Sequence, residues 1–322
     1  MDTDTAAAKE AVQYELSPFV RVYTTGRIER ILETDVLPPG LDPDTGVVSK
    51  DVTLRPDTGL SVRLYLPPAT AAAAADKKIP VLVYYHGGGF VIETAASPTY
   101  HNYLNSLAAK AGVLAVSVDY RRAPEHPLPA AYEDSWAALE WATSEPPADP
   151  WLADRGDLRR VFLAGDSAGA NIAHHMAMRA GAGAGSVRLE GIALVHPYFW
   201  GKEPVGSETR DAPARAFAGA LWRVVCPSSS SNDDGGEDDP MINPVGLEGL
   251  GCGRVLVSVA AEDTLRERGV DYYERLRRSG WGGTAELTEV EGVGHVFHLQ
   301  DAKSDKAAAE MERMVAFLNG KD

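Results

Sequence analysis

Ser167 stands between two glycines in the string Gly165-Asp166-Ser167-Ala168-Gly169, directly after the apolar run 161–164 and directly before the helix-forming stretch 170–176. A serine hydroxyl is a weak nucleophile at neutral pH and needs a positioned base, itself oriented by a third group. A tight strand-to-helix turn can hold that hydroxyl out of the chain. Gly165 and Gly169 lack a Cβ and so let strand and helix approach closely on either side. The chemistry such a serine could do is attack on an electrophilic carbonyl.

The base and the orienting acid are expected downstream, each on a loop after a strand, in the order serine, acid, histidine. The apolar run 255–260 leads into Ala261-Glu262-Asp263-Thr264-Leu265, and the run 284–290 leads into Glu291-Gly292-Val293-Gly294-His295-Val296-Phe297-His298. Asp263 and His295 occupy the two stations, with Glu262 and His298 as their rivals. His174 and His175 lie on the helix behind Ser167 and are expected to pack or face solvent; His101, His126 and His196 have no catalytic station. No pair of histidines has a ligand spacing backed by a nearby carboxylate or thiolate, so no metal is expected.

A developing oxyanion requires preorganised donors. Tyr85-His86-Gly87-Gly88-Gly89-Phe90 follows another apolar run and supplies a glycine loop whose amides can converge. The expected donors are the N–H groups of Gly88, Gly89 and Ala168, with Gly87 shaping the turn and His86 anchoring the loop. A phosphate-binding role is a poor fit, because no Gly-x-x-x-x-Gly-Lys-Ser/Thr pattern follows.

These residues must be positioned by strands and helices. Eight segments read as strands: 47–54, 60–66, 81–85, 113–118, 161–164, 192–195, 255–260 and 284–290. The first two alternate polar and apolar around the turn Pro56-Asp57-Thr58-Gly59, as an antiparallel edge pair does. Most of the others are continuously apolar, as parallel strands covered on both faces are. Helical patterns at 100–111, 130–143, 168–180, 262–279 and 301–318 fall between and after them, with Gly112 as a C-cap. The alternation predicts one α/β domain over residues 1–322, a mostly parallel eight-stranded sheet flanked by helices.

Three segments fall outside that scheme. The first 45 residues contain an amphipathic stretch, 14–22. Residues 69–75 form an Ala-rich linker. Residues 200–250 are a long excursion with an apolar piece at 214–225. The first and third are read together as a lid over a pocket, because insertions there cover the C-terminal sheet edge. Within the excursion, the Ser/Gly/Asp-rich run 228–239 reads as a solvated loop, without the spacing of an EF-hand calcium site.

The bulk numbers agree with a globular enzyme. The chain has 322 residues, 44% hydrophobic, with a formal net charge of −15. Such acidity argues against nucleic acid or an anionic membrane as partner. Two cysteines, Cys226 and Cys252, indicate neither a disulfide framework nor a metal site. The acidic N-terminal residues have no apolar segment behind them, and no run approaches the ~20 residues needed to span a bilayer. The expected compartment is the cytosol, with the nucleus included.

Five motifs occur in a telling order: His86-Gly87-Gly88-Gly89-Phe90, Asp119-Tyr120-Arg121-Arg122-Ala123-Pro124-Glu125-His126-Pro127, Gly165-Asp166-Ser167-Ala168-Gly169, Asp263-Thr264-Leu265-Arg266-Glu267-Arg268-Gly269 and His295-Val296-Phe297. With Ser17-Pro18-Phe19-Val20-Arg21-Val22-Tyr23 and Asn243-Pro244, the chain resembles the hormone-sensitive-lipase-like carboxylesterases, and their plant branch in particular. The resemblance implies an α/β-hydrolase fold, a small-molecule ester as substrate and no cofactor. That branch also holds 2-hydroxyisoflavanone dehydratases, which tend to carry threonine at the nucleophile, and gibberellin receptors, which have lost the catalytic histidine. Retention of Ser167, Asp263, His295 and all three glycines favours hydrolysis over both. The Asp119-to-Pro127 stretch is expected to brace the region below the pocket, with Arg121, Arg122 and Glu125 pairing there.

Overall fold

The computed structural model describes residues 10–32, 34–68, 77–183, 187–208, 213–229 and 236–320. The Ala-rich linker and residues 230–235 of the acidic run lie outside the described residues.

All eight expected strands form, and they build one sheet. In chain order they are β4 (Val48–Arg55), β5 (Leu60–Leu66), β6 (Ile79–Tyr85), β7 (Leu114–Asp119), β8 (Gly156–Asp166), β9 (Leu189–Val195), β10 (Cys252–Ala260) and β11 (Thr284–Val290). The spatial order is β11-β10-β9-β8-β6-β7-β5-β4. From β7 to β11 every pairing is parallel, whereas β4 and β5 pair antiparallel with each other and β5 pairs antiparallel with β7. Burial explains the two sequence patterns. All seven residues of β6 are buried, while β4, at the sheet edge, alternates between exposed and covered positions. Parallel strands connected by crossover helices are covered on both faces; an edge strand is not.

The helices fall where periodicity places them: α1 (Pro98–Ala111), α2 (Ala130–Ala142), α4 (Ala168–Gly181), α6 (Arg266–Arg278) and α8 (Asp305–Asn319). Gly112 ends α1 with φ 65°, its amide donating to the Ala108 carbonyl at 3.0 Å. That left-handed cap is a conformation glycine adopts at little cost. Two expected helices start later than their patterns. Residues 262–265 form a turn before α6, and a four-residue helix, α7 (Phe297–Gln300), precedes α8. One short helix, α3 (Pro150–Arg155), is unannounced by periodicity; Asp149 caps it by accepting from the Trp151 amide at 2.8 Å.

The amphipathic stretch 14–22 is resolved into a small antiparallel sheet of β1 (Val12–Leu16), β2 (Val20–Tyr23) and β3 (Ile28–Arg30). Arg30 fastens it to the main body, bonding the Val91 carbonyl at 2.7 Å and the Glu125 carboxylate at 2.7 Å. The excursion after β9 contains α5 (Pro213–Val225). Its base is held by a buried cluster in which Arg268 of α6 bonds Glu208 at 2.6 Å and Arg215 of α5 reaches the same carboxylate at 3.0 Å. Both guanidinium groups also lie near the Trp200 ring, 5.0 and 5.3 Å from its centre. Among the described residues, no helix is long and apolar enough to cross a membrane.

Candidate active site

The C-terminal ends of the central strands carry the candidate residues. Ser167 sits on the turn between β8 and α4 with φ 51° and ψ −117°, a backbone state that non-glycine residues rarely adopt. The turn is tight enough that a Cβ on Gly169 would collide with the Tyr85 carbonyl oxygen, and one on Gly165 with the backbone of Gly169. The two flanking glycines are thus required by the close approach of strand and helix. Neighbouring backbone holds the turn: the Ser167 amide donates to the Val195 carbonyl at 2.9 Å, and the Tyr198 amide donates to the Ser167 carbonyl at 3.0 Å.

The three side chains named from sequence come together. His295 Nε2 lies 3.0 Å from Ser167 Oγ, and His295 Nδ1 lies 2.7 Å from Asp263 Oδ2, across 128 and 32 residues of chain respectively. Asp263 also accepts from the Leu265 amide at 2.9 Å, which fixes the carboxylate within its turn. Packing around the imidazole opposes its charge, but the Asp263 hydrogen bond and charge, aided by Asp166, outweigh that and hold His295 above the ordinary histidine value. Burial likewise opposes ionisation of Asp263, and His295 overcomes it, leaving the carboxyl below its usual range. The rivals stand elsewhere. Glu262 is exposed, and His298 is buried against Tyr103 and His196, its titration pushed down to about 3 by burial and then by His295. His174 and His175 point away, into contacts with the Tyr272 hydroxyl and the Met241 carbonyl.

The glycine loop divides its labour. The Gly87 amide donates to the Tyr100 hydroxyl at 2.7 Å, and a side chain on Gly87 would strike the Asp166 carboxylate. Gly88 and Gly89, at φ 90° and 60°, line the cavity above Ser167. Among the described hydrogen bonds, the amides of Gly88, Gly89 and Ala168 have no internal acceptor. Ala168 is the first residue of α4, where an unsatisfied N–H is expected.

Comparison with known proteins fits this geometry. A family model for the alpha/beta hydrolase fold matches residues 82–299. The chain is 52% identical over 99% of its length to tuliposide A-converting enzyme 2, chloroplastic, of Tulipa gesneriana, covering 81% of that protein. It is 46% identical over 97% of its length to probable carboxylesterase 2 of Arabidopsis thaliana, covering 98% of that protein. Among solved structures, a hyperthermophilic esterase from the archaeon Pyrobaculum calidifontis superposes with a TM-score of 0.69 at 27% identity, covering 84% of this chain and 83% of that one. The chain belongs to the plant α/β-hydrolase carboxylesterase family. It is a carboxylic ester hydrolase.

Two residues of this carboxylesterase do more than the sequence suggested. His196, which has no catalytic station, sits just past β9 with its Nδ1 accepting the Val296 amide at 2.8 Å. Val296 is β-branched and held at φ 49°, so this bond pins a strained residue directly beside His295. Because Nδ1 accepts, the ring proton is on Nε2, and burial, then the neighbouring His298 and His295, keeps His196 neutral. One ligand atom each from His196, Asp263 and His295 lies within 4.8 Å of the others, though all three side chains are engaged in these protein contacts. Tyr120 is the second. Its ring stacks on His86 at 4.2 Å, and its hydroxyl donates to the His86 carbonyl at 2.7 Å, bracing the glycine loop from below.

The rest of the Asp119-to-Pro127 stretch pairs with neighbouring elements. Arg121 bonds Asp134 of α2 at 2.8 Å, Glu125 bonds Arg30, and Arg122 donates to the Glu93 carbonyl. Each residue ties the stretch to a separate element, where pairing among themselves would have tied it only to itself.

Proposed function

We propose that the protein is a serine carboxylesterase acting on small acyl esters through a Ser167-His295-Asp263 triad. One observation carries the reading: a single imidazole bridges the serine hydroxyl at 3.0 Å and a buried carboxylate at 2.7 Å. His295 Nε2 takes the Ser167 proton as Oγ attacks the ester carbonyl. Its Nδ1–H donates to Asp263, whose charge stabilises the imidazolium so formed. The amides of Gly88, Gly89 and Ala168 receive the oxyanion. His295 then delivers the proton to the leaving alkoxide, and the acyl group stays on Oγ. A water molecule, deprotonated by the same ring, attacks the acyl-enzyme and releases the acid with Ser167 restored. No step calls for a metal or organic cofactor.

In this reading residues 1–322 form one hydrolase domain, and the segments 1–45 and 200–250 act as its lid. Support comes from Phe19, Leu32, Phe217 and Leu221, which line the cavity from those two segments. The compartment proposed for the protein is the cytosol, with the nucleus included. A fluorescent fusion of the complete chain that collects in plastids would overturn that placement, and the chloroplastic name of the tulip relative makes the experiment pertinent. The catalytic scheme is tested by Ser167→Ala assayed on p-nitrophenyl acetate; undiminished turnover would rule it out.

A second reading of the substrate is favoured by the tulip relatives, two of which are 52% identical and named tuliposide A-converting enzymes. Incubation with tuliposide A, followed by chromatography, tests whether this chain shares that conversion; an unchanged substrate rejects it.

A further inference from the structure

Asp166, the residue before the serine, has its side chain buried against the glycine loop. It is 1% exposed, and a Cβ on Gly87 would strike its Oδ2. Two buried phenols donate to it: Tyr84 of β6 to Oδ1 at 2.9 Å, and Tyr100 of α1 to Oδ2 at 2.8 Å. The Tyr100 oxygen in turn accepts from the Gly87 amide at 2.7 Å. An ionised carboxylate can only accept, so it commits the Tyr100 hydrogen to itself and leaves an oxygen lone pair for Gly87. One side chain thus sets the direction of each bond between the glycine loop and the serine turn.

The peptide units of the loop pass that direction on, because each is planar with its N–H opposed to its C=O. The unit joining His86 to Gly87 is held at both ends, its carbonyl by the Tyr120 hydroxyl at 2.7 Å and its N–H by Tyr100. The unit joining Gly87 to Gly88 is held at its carbonyl, 2.8 Å from His86 Nδ1, so the Gly88 N–H points the opposite way. A tilt at Gly87 would therefore re-aim the amide that follows it. Asp166 reaches the base as well, since its charge helps to hold His295 above the ordinary histidine value. Around the carboxylate stand Tyr84, Tyr100, Tyr103 and Tyr120, whose phenols burial keeps protonated, and His295. His86 packs on Tyr100 and is kept neutral by burial, and the charge of Glu93 also reaches Tyr100.

We propose that Asp166 is a positioning residue for the oxyanion donors: its ionised carboxylate orients Tyr100, Tyr100 fixes the Gly87 peptide, and that peptide aims the amide of Gly88. Protonation breaks the arrangement, because a carboxylic acid carries a hydrogen of its own where two phenols already donate. Burial pushes the Asp166 carboxyl up to about 6, against the opposing hydrogen bonds of Tyr100 and Tyr84, so this happens within the range in which the enzyme can be assayed. Activity then requires two groups in their deprotonated forms, His295 as base and Asp166 as brace. This inference rests on the esterase scheme proposed above.

The test is the pH profile of kcat and kcat/KM on p-nitrophenyl acetate for the unaltered enzyme, Asp166→Asn, Tyr100→Phe and Tyr84→Phe. In the unaltered enzyme the acid limb of kcat/KM should steepen from a one-proton to a two-proton dependence below about pH 6. In Asp166→Asn the limb should keep a one-proton dependence throughout, and kcat at pH 8 should fall by about 10²-fold with KM little changed, as when an oxyanion donor is lost. Tyr100→Phe should lower kcat about tenfold, again without a rise in KM. Tyr84→Phe, which removes a donor from Asp166 but no link to Gly87, should keep kcat at pH 8 and start the two-proton region at higher pH. A residue that only supports the fold would leave the steepness of the limb unchanged, and the two tyrosine variants still decide the matter if Asp166→Asn does not fold. A one-proton limb in the unaltered enzyme, a two-proton limb that survives in Asp166→Asn, or losses that fall on KM would overturn the proposal alone. Undiminished turnover in Ser167→Ala would overturn the esterase scheme and this inference with it.

Discussion

The serine turn and the cover of the cavity are built in contrasting ways. At the turn between β8 and α4, position is set by backbone: a strained φ at Ser167, glycines where no side chain fits, and amide-to-carbonyl bonds to Val195 and Tyr198. In the cover, position is set by long side chains. Arg30 holds the N-terminal sheet to Glu125 and the Val91 carbonyl, and Arg268 with Arg215 holds the excursion to Glu208. Backbone strain and glycine packing tolerate little substitution, whereas side-chain ties can be exchanged. The difference teaches that the serine turn is held by backbone, whereas the segments over the cavity are held by side-chain ties.

Substitutions in the two regions should accordingly separate in size and kind. The largest effect is expected from Ser167→Ala, a loss of about 10⁶ in kcat. Asp263→Asn comes next, with a loss of about 10⁴ because the imidazole is left in the wrong tautomer. It should also move the pH profile. The base must be neutral, so activity fails as pH falls through the His295 value, which Asp263 holds above the ordinary 6.5. Removing that charge and hydrogen bond leaves the opposing effect of packing, and the acid limb should shift to lower pH in a kcat/KM profile. An unmoved limb would mean that Asp263 does not govern the base.

Smaller effects sharpen the contrast. Tyr120→Phe removes the hydroxyl that braces the glycine loop, and should lower kcat about tenfold with KM little changed. That is less than the 10²–10³ that follows loss of an oxyanion donor itself. A KM effect of equal size would assign Tyr120 to binding. Arg268→Met, in the cover, should act on stability and leave the chemical step largely intact. It breaks a buried ion pair, at a cost on the order of 3 kcal/mol, read as a lower midpoint in urea. A loss of kcat as large as that from Tyr120→Phe would erase the distinction between the two regions.

The same contrast explains what could be read from the chain. The eight strands were legible because burial on one or both faces imposes alternating or continuous apolar runs. The convergence of Ser167, Asp263 and His295 was legible because each follows such a strand. The N-terminal sheet was not legible. Its strands are three to five residues long and are held in part by cross-strand polar pairs such as Arg21 with Glu15, too short for the amphipathic stretch 14–22 to divide into strands by pattern. His196 was missed because it acts through a backbone amide 100 residues away, at Val296. The partners of Arg121 and Glu125 were not legible for a related reason: a charged side chain declares that it will pair, and only the fold decides with what.

The central claim, that the imidazole of His295 makes one serine reactive, is tested most directly by labelling with a fluorophosphonate probe followed by peptide mapping. The account predicts a single modified residue, Ser167, and near-complete loss of labelling in His295→Ala at neutral pH. Labelling at another serine, or undiminished labelling of Ser167 when His295 is replaced, would contradict it.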